Sequence, residues 1–489
     1  MIHYGSLYQK VWRAAAALHA QGIRPGDRVA LWMTNRPELV ECYLGCFLAG
    51  AVIMPVFNKM TEHELRPLLA HSSPTLLISE LQLLGTIESA TPLAPAVWSV
   101  DGAASGVTHP SGEILDYQSL MEVARPEQFS PPHLTDEAAA SLMYTSGTTG
   151  EPKGAVHLRR NHAANIANQH ALVRQDHSDE VLVFLSVCHT FGFLRALLPA
   201  LSAGSTVVLL RQFEPAAAVE ALAAHPITLM YGLPEMYVLL LDELEHHPHL
   251  HVGSLRNAMI AGDAVPLALH QRFGMRMGLL LQEEYAMTET MMIAANPVGR
   301  AKVIGSLGRV LPGMAVRIRE SEGTPASPGE IGEIEVRGNT ALSHYFRNEA
   351  ANAEAFDDGW LRTGDLGSLD DQGNLWFRGR IKQIIVHGGE NIAPAEVEAA
   401  FHRHPEVLEV AVIGVPDATS GQRLVAYVAT TAKSTVNAEV LSAFVRDYIA
   451  DFKVPSEILL LSELPTGETG KIDHAALLRR YQADHPASG

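Results

Sequence analysis

Three glycines, four hydroxyl residues and one lysine are gathered in Tyr144-Thr145-Ser146-Gly147-Thr148-Thr149-Gly150-Glu151-Pro152-Lys153-Gly154, directly after a mostly apolar run at 140–143. Glycines let the backbone bend and turn its N–H groups onto an anion, and the hydroxyls add neutral donors. A lysine supplies a compact positive charge that can follow a leaving phosphate. The loop has the chemistry of a phosphate cradle without being a Walker A sequence. In that motif Ser or Thr follows the lysine at once, whereas here Gly154 follows Lys153. The composition alone also suits a flexible Gly/Ser/Thr linker, so the rest of the chain must decide.

Four further stretches hold polar groups where a core would not want them. Tyr285-Ala286-Met287-Thr288-Glu289-Thr290 joins hydroxyls and a carboxylate after an apolar run at 277–282 that reads as a strand. Gly359-Trp360-Leu361-Arg362-Thr363-Gly364-Asp365-Leu366-Gly367 presents a carboxylate in what reads as a glycine-framed loop. Gly379-Arg380-Ile381-Lys382 lies at a change of texture, and Pro465-Thr466-Gly467-Glu468-Thr469-Gly470-Lys471-Ile472-Asp473 is a glycine-hinged loop carrying a lysine. Each has a plainer explanation alone: a helix cap for Thr288 and Glu289, a turn for Asp365, surface charge for Lys471.

The elements that must position these groups alternate. Residues 6–21 read as a helix ending at Gly22, 29–33 as a strand, 37–48 as a helix, 52–57 as a strand, and Thr61-x-x-Glu64 as a capping box. Residues 76–79 close this run as a strand. After the glycine-rich loop the alternation returns, with strands at 181–186, 206–210 and 227–231 and helices at 193–201, 215–224 and 235–244. Strand–helix alternation means a parallel sheet with helices on its faces. From 305 to 338 the runs become short and alternating, which suggests a small antiparallel, barrel-like unit. Beyond Gly379 the chain reads as a compact α+β module. The fold class is therefore α/β, with a large N-terminal region of doubly wound subdomains plus the barrel-like unit, and a small mobile α+β C-terminal domain.

At 489 residues more than one core is expected, and 47% apolar with 18% charged residues describes an ordinary globular enzyme. A net charge of -18 argues against a nucleic-acid partner. Cys42 and Cys46, at helical spacing, read as small buried hydrophobes, and with Cys188 they suit a reducing compartment. No signal peptide or membrane span is visible, so a cytoplasmic protein is expected. His246, His247, His249 and His251 follow no metal-ligand spacing and read as a solvated helix end.

In their order and distances the five polar segments resemble the AMP-forming adenylate superfamily, which includes acyl-CoA synthetases, peptide-synthetase adenylation domains and luciferases. The resemblance covers the chain from about Ser6 to Asp473. It implies an adenylate-forming domain at 1–378, a hinge at 379–383 and a small domain at 384–489. It further implies that Thr145, Ser146, Gly147, Thr148, Thr149, Gly150 and Lys153 hold the β- and γ-phosphates of ATP. Thr288 matches the contact to the α-phosphate and Glu289 the Mg2+ ligand. Tyr285 matches the ring on adenine, with Gly262, Asp263 and Ala264 on its other side. Asp365 matches the acceptor of the ribose hydroxyls, with Arg380 on the same sugar. Lys382 falls on the hinge and Lys471 on the catalytic lysine. Gly388, Gly389 and Glu390 belong to a segment that would face the thiol. Ala286 stands where the family often has Gly, and Asp263 adds a carboxylate near the pocket.

The activity so implied is activation of a carboxylic acid by ATP to an acyl-adenylate with release of pyrophosphate, then transfer to the thiol of CoA. His189 aligns with a pocket-side histidine or aromatic of acyl- and aryl-CoA synthetases, and a pocket-wall role suits it better than that of a base. Phe191, Phe193, Tyr237, Met287, Met291 and Met292 are the pocket candidates, and they suit a fatty or aromatic acid. The phosphopantetheine of an acyl carrier protein is the alternative acceptor. A non-catalytic nucleotide- or acid-binding homologue is the second alternative, and monomer and homodimer both stay open.

Overall fold

The computed structural model describes residues 1–87, 93–102, 114–145, 153–262, 265–298, 302–320, 323–387, 390–417, 420–431, 434–467 and 471–485. The chain forms two compact units. The first comprises Met1–Tyr231 with Met287–Met292 and Gly338–Asp357, the second Gly232–Ala286, Ile293–Arg337 and Asp358–Gly489.

The first unit is built on a sheet with spatial order His344–Tyr345, Lys153–Leu158, Ala139–Thr145, Val52–Val56, Arg28–Trp32, Leu76–Ser79, Ala96–Ser99, Ile114–Asp116. Arg28–Trp32 and its neighbours run parallel. Lys153–Leu158 runs against both strands beside it. The central strands are buried on both faces, which is why they read as continuous apolar runs instead of alternating ones. Trp32, Met54, Leu65, Leu77 and Val97 pack in one cluster on this sheet. A second parallel set joins Glu180–Val183 to Thr206–Leu209 and to Leu229–Gly232.

Local signals place the helices. Pro37 opens Pro37–Ala49 with its fixed φ, and Gly50 at φ 78° closes it in the left-handed region. The Thr61–Glu64 capping box forms as expected, with Glu64 Oε2 accepting from Thr61 N at 2.8 Å and from Thr61 Oγ1 at 2.7 Å. The segment expected to be a helix from 193 onward begins instead as a π-helix, Phe191–Leu197, and turns α-helical at Leu198–Ala203. A π segment of this length is uncommon and widens the turn that follows His189.

In the second unit Asn257–Ile260 pairs in parallel with Gln282–Met287. The run at 277–282, expected to be a strand, is not one. Met277 is the buried last residue of the helix Leu267–Met277, Gly278 ends it in the left-handed region at φ 72°, and the strand starts at Gln282. Tyr285 therefore lies in a strand rather than after one. The glycine-rich region after 305 forms an antiparallel sheet in which Gly332–Gly338 pairs with Trp360–Leu369, and that strand with Leu375–Arg380. Met314–Arg319 lies at its edge, and the sheet stays open rather than closing into a barrel. Asp365 sits within Trp360–Leu369, not in a loop, because the glycines around it serve a ladder with a bulge at Leu366/Gly367. At the C-terminal end Val407–Asp417 and Gly421–Thr430 form a long antiparallel pair, with Glu457–Leu461 parallel to the second. Helices Pro394–Phe401 and Ala438–Arg446 cover one face and His474–Asp484 the other. This is the α+β module expected from the sequence.

Among the described residues no helix is long and apolar enough to cross a membrane. All three cysteines are free and buried. The four clustered histidines are exposed at the end of Pro234–Glu245, and among the described residues no group of His, Cys, Asp and Glu is arranged to hold a metal.

Candidate active site

In the first unit the strands Ala139–Thr145 and Lys153–Leu158 form a hairpin whose register sets Thr145 opposite Lys153. Ser146, Gly147, Thr148, Thr149 and Gly150, between them, lie outside the described residues, as do Asp263, Ala264, Gly388 and Gly389. Pairing of Tyr345 with Ala155 brings its ring beside the same strand, 5.5 Å below Lys153 Nζ. The Tyr345 hydroxyl donates to Glu289 Oε1 at 3.0 Å. Burial and the Glu289 charge both push this phenol's pKa up, so it stays a donor. Tyr345 thus adjoins both the lysine and the glutamate.

The turn carrying Thr288 and Glu289 is held through its backbone. His157 Nε2 lies 2.7 Å from the Thr288 carbonyl oxygen, and Leu342 N–H donates to the Glu289 carbonyl at 2.6 Å. Burial pushes the His157 ring down to about 4, so it is neutral, and the carbonyl partner requires the proton on Nε2. Its Nδ1 is buried without a hydrogen-bond partner among the described residues. His162, bonded to Ser141 at 2.8 Å, is likewise pushed down to about 3 by burial. Met291, just beyond, adopts φ 55°, a strained conformation for a large side chain that the surrounding core enforces.

His189 stands at the mouth of the π-helix, its ring 4.8 Å from Phe57, and its carbonyl accepts from Phe193 N at 2.8 Å. The residues before it are strapped to buried Asn35. Asn35 donates to Leu185 O at 2.8 Å and Leu210 O at 3.0 Å, and accepts from Val187 N at 2.9 Å. Tyr43 adds a bond to Val187 O at 2.9 Å. Of the expected pocket residues, Phe193, Tyr237, Met291 and Met292 are core side chains, while Phe191 and Met287 are partly exposed. Phe193 lies tilted against Tyr43 with ring centroids 4.2 Å apart, and Tyr237 donates to Met259 O at 2.8 Å, which commits both to packing.

In the second unit the ladder between Trp360–Leu369 and Leu375–Arg380 sets Asp365 directly opposite Arg380. Arg380 Nε lies 3.4 Å from Asp365 Oδ1, and the Tyr285 hydroxyl donates to Oδ2 at 2.6 Å. Burial raises the Asp365 pKa, against the lowering effects of Arg380, Tyr285 and Lys471. Lys471 is exposed, with its stem carbon Cε 3.8 Å from where a β-carbon on Gly262 would stand. That same β-carbon would meet Leu233 at 2.9 Å, and Gly262 has φ 104°, so only glycine fits there. Lys382 lies exposed on the short 3-10 turn Ile381–Gln383, just after Gly379 at φ 128°. Glu390 is exposed in the strand Glu390–Ile392, opposite His387.

Sequence reasoning missed His157, Tyr345 and Asn35. His157 left a signal, a polar residue inside the apolar strand Lys153–Leu158. Tyr345 and Asn35 left none, since a tyrosine in a short segment and an asparagine after a strand are ordinary.

The described groups are a carboxylate and a guanidinium paired on a ladder, a hairpin ending in lysine and a carboxylate turn, and the family models define the class as adenylate-forming enzymes. The chain belongs to the AMP-binding enzyme family, whose model matches residues 1–346, and the family's C-terminal domain model matches residues 396–471. It is an acid–thiol ligase that activates a carboxylic acid with ATP and passes the acyl group to CoA. It is 34% identical over 470 residues to a 2-succinylbenzoate–CoA ligase of Bacillus licheniformis, covering 95% of this chain and 92% of that one. It is 35% identical over 485 residues to a feruloyl-CoA synthase of an Amycolatopsis species, covering 98% and 94%. Among solved structures, ATP-bound MatB from Rhodopseudomonas palustris superposes with a TM-score of 0.88 at 28% identity, over 98% of this chain and 94% of that one.

Proposed function

We propose that the two groups of residues divide the first half-reaction between them. Thr145, Lys153 and the loop between them take the β- and γ-phosphates, and Thr288 takes the α-phosphate. Asp365 and Arg380 take the ribose, with Tyr285 against the base. The carboxylate oxygen of the substrate attacks the α-phosphorus, the bond to the bridging oxygen breaks, and pyrophosphate leaves. Lys471 supplies positive charge where the carboxylate and the α-phosphate meet. In the second half-reaction the CoA sulfur attacks the acyl carbon and AMP leaves. Between the two steps the small domain turns about Lys382, withdrawing Lys471 and bringing up the Gly388-Gly389-Glu390 segment.

The donor set fits Mg2+. Glu289 is a partly exposed carboxylate, and no cage of three protein ligands surrounds it among the described residues. Mg2+ takes most of its ligands from phosphates and water, so a single carboxylate suffices. Bound there, the ion would neutralise phosphate charge; Glu289 would hold it while Tyr345 fixes the carboxylate's direction.

The acid is one with an apolar, fatty or aromatic body. Phe57 and partly exposed Phe191 flank the His189 loop, and the relatives' names include succinylbenzoate, ferulate and long-chain fatty acids. His189 serves as pocket wall. The three free, buried thiols fit a reducing cytoplasm. The observation that carries this reading is the Tyr285–Asp365–Arg380 group, on whose carboxylate Lys471 also acts.

ATP–pyrophosphate exchange over a panel of fatty acids, benzoates, cinnamates, dicarboxylates and amino acids tests it. Exchange with fatty or aryl acids is expected. Exchange confined to amino acids would overturn the substrate assignment, and none with any acid despite ATP binding would overturn the assigned reaction. CoA and a phosphopantetheinyl carrier protein, offered side by side, separate the two acceptors.

A further inference from the structure

His157 belongs to a strand whose other residues between Gly154 and Leu158 are apolar, and it is fully buried. A buried imidazole in such a place costs stability unless its polar atoms are used. One of them is: Nε2 donates to the carbonyl of Thr288. That carbonyl begins the peptide unit that leads into Glu289. At the far side of Glu289 its own carbonyl takes the Leu342 N–H, and its carboxylate takes the Tyr345 hydroxyl. Three donors from two segments, Lys153–Leu158 and the residues after Gly338, therefore fix both peptide planes and the side chain of one residue.

We infer that His157 and Tyr345 are positioning residues that hold the Thr288–Glu289 turn in the geometry needed for a metal-bound nucleotide. Neither touches the reacting atoms. His157 acts through the backbone of Thr288, and Tyr345 acts through the carboxylate of Glu289 while its ring lies under the Lys153 ammonium. Tyr345 thus couples the lysine and the acid. The neutral imidazole suits this role better than a cation would, because it pins the turn without adding charge beside Glu289. The strained φ of Met291 is a second sign that the turn is held against its local preference. The inference rests on the reading of Glu289 as the Mg2+ ligand.

The test compares binding of ATP with and without Mg2+ by calorimetry, on the whole protein and without any acid, so that turnover plays no part. His157→Leu removes the donor at similar volume, and His157→Gln restores an Nε2 donor. Tyr345→Phe removes only the hydroxyl. About tenfold weaker binding of MgATP is expected for His157→Leu and Tyr345→Phe, with metal-free ATP binding unchanged and recovery in His157→Gln. Equal loss with and without metal would mean a merely structural role and would overturn the inference. If His157→Leu does not fold, Tyr345→Phe and His157→Gln decide: a wild-type metal dependence in Tyr345→Phe, or a lost one in His157→Gln, overturns it. Glu289→Gln separates the two levels. If it leaves the metal dependence intact, the Mg2+ assignment itself fails. If it removes the dependence while Tyr345→Phe and His157→Leu do not change it, only the positioning role fails.

Discussion

The Asp365 group and the Thr288–Glu289 turn are positioned by opposite means. Asp365 is positioned by a β-ladder, and its charge is balanced on the spot by Arg380 and the Tyr285 hydroxyl. The turn has no ladder beneath it. It is held by donors onto its carbonyls, one of them a histidine kept neutral by burial. A ladder fixes a side chain through many cooperative bonds, so any one substitution is absorbed. A turn held by a few donors shifts when one is lost. Ligand recognition by the first should therefore depend on charge, and by the second on donor geometry.

The largest effect expected lies on Lys471. Lys471→Ala should lower acid-dependent ATP–pyrophosphate exchange by at least ~100-fold, the scale of losing one charge-stabilising donor. Thioester formation from preformed acyl-adenylate should remain. Survival of both half-reactions would remove Lys471 from the chemistry.

Next in size is the acid sensitivity of the buried histidines, which belongs to the turn's side of the comparison. His157 titrates near 4 and His162 near 3 in the fold, both below the ordinary 6.5. Above 6.5 neither state binds the proton. Below it the unfolded chain does and the fold does not, so stability falls as pH drops from 6.5 towards 4. For His157 the loss amounts to about 3 kcal/mol. Unfolding in urea measured from pH 7.5 to 4.5 should show this slope, and His157→Gln should reduce it, leaving the part that belongs to His162. An unchanged slope in that variant would mean that His157 already carries its proton in the fold.

On the ladder side, Asp365→Asn keeps the shape and removes the charge. Loss of a charged acceptor should cost ATP binding about 2 kcal/mol, roughly thirtyfold in Kd. Arg380→Ala should cost less, because its guanidinium is well exposed. Because burial raises the Asp365 pKa, nucleotide affinity should fall on acidification at a higher pH than an ordinary aspartate would dictate. Larger losses from Arg380→Ala than from Asp365→Asn would reverse the order of importance on this ladder.

The division between the two regions also decided what could be read in the sequence. The parallel sheet of the first unit was legible because 29–33, 52–57 and 76–79 are continuous apolar runs between helical stripes, and buried parallel strands must look so. Lys153, Asp365 and Lys471 stand out in the sequence as candidates for chemistry because glycines frame a charge in each case. The setting of Asp365 was not, since glycines in a bulged strand look like glycines in a loop. Tyr285 was misplaced because Met277 to Gln282 is apolar whether it ends a helix or starts a strand. The donors onto the turn were hidden for a different reason. Tyr345 reaches Glu289 across 56 positions of sequence and His157 reaches Thr288 across 131, and no local pattern encodes such pairs. Phe193 and Tyr237 look like pocket walls in the sequence because an apolar residue near a site reads the same whether it packs or binds.

The smallest expected effect concerns the His189 loop, where a turn is held from a buried side chain as at Thr288 but with more bonds. Asn35 makes three contacts to the backbone around it and Tyr43 one. Tyr43→Phe leaves the Val187 carbonyl buried with one donor fewer, at a cost of about 1 kcal/mol. Asn35→Ala strips three partners at once and should cost about 3 kcal/mol, enough to confuse a positional effect with loss of fold. The tyrosine variant is thus the sharper probe. If the loop behaves like the Thr288 turn, Tyr43→Phe should raise KM for the acid a few-fold while KM for ATP and the rate of thioester formation from preformed adenylate stay level. If it behaves like the ladder, the three Asn35 bonds absorb the loss and only stability falls. A change in KM for ATP alone would fit neither, and would take the loop out of the acid pocket.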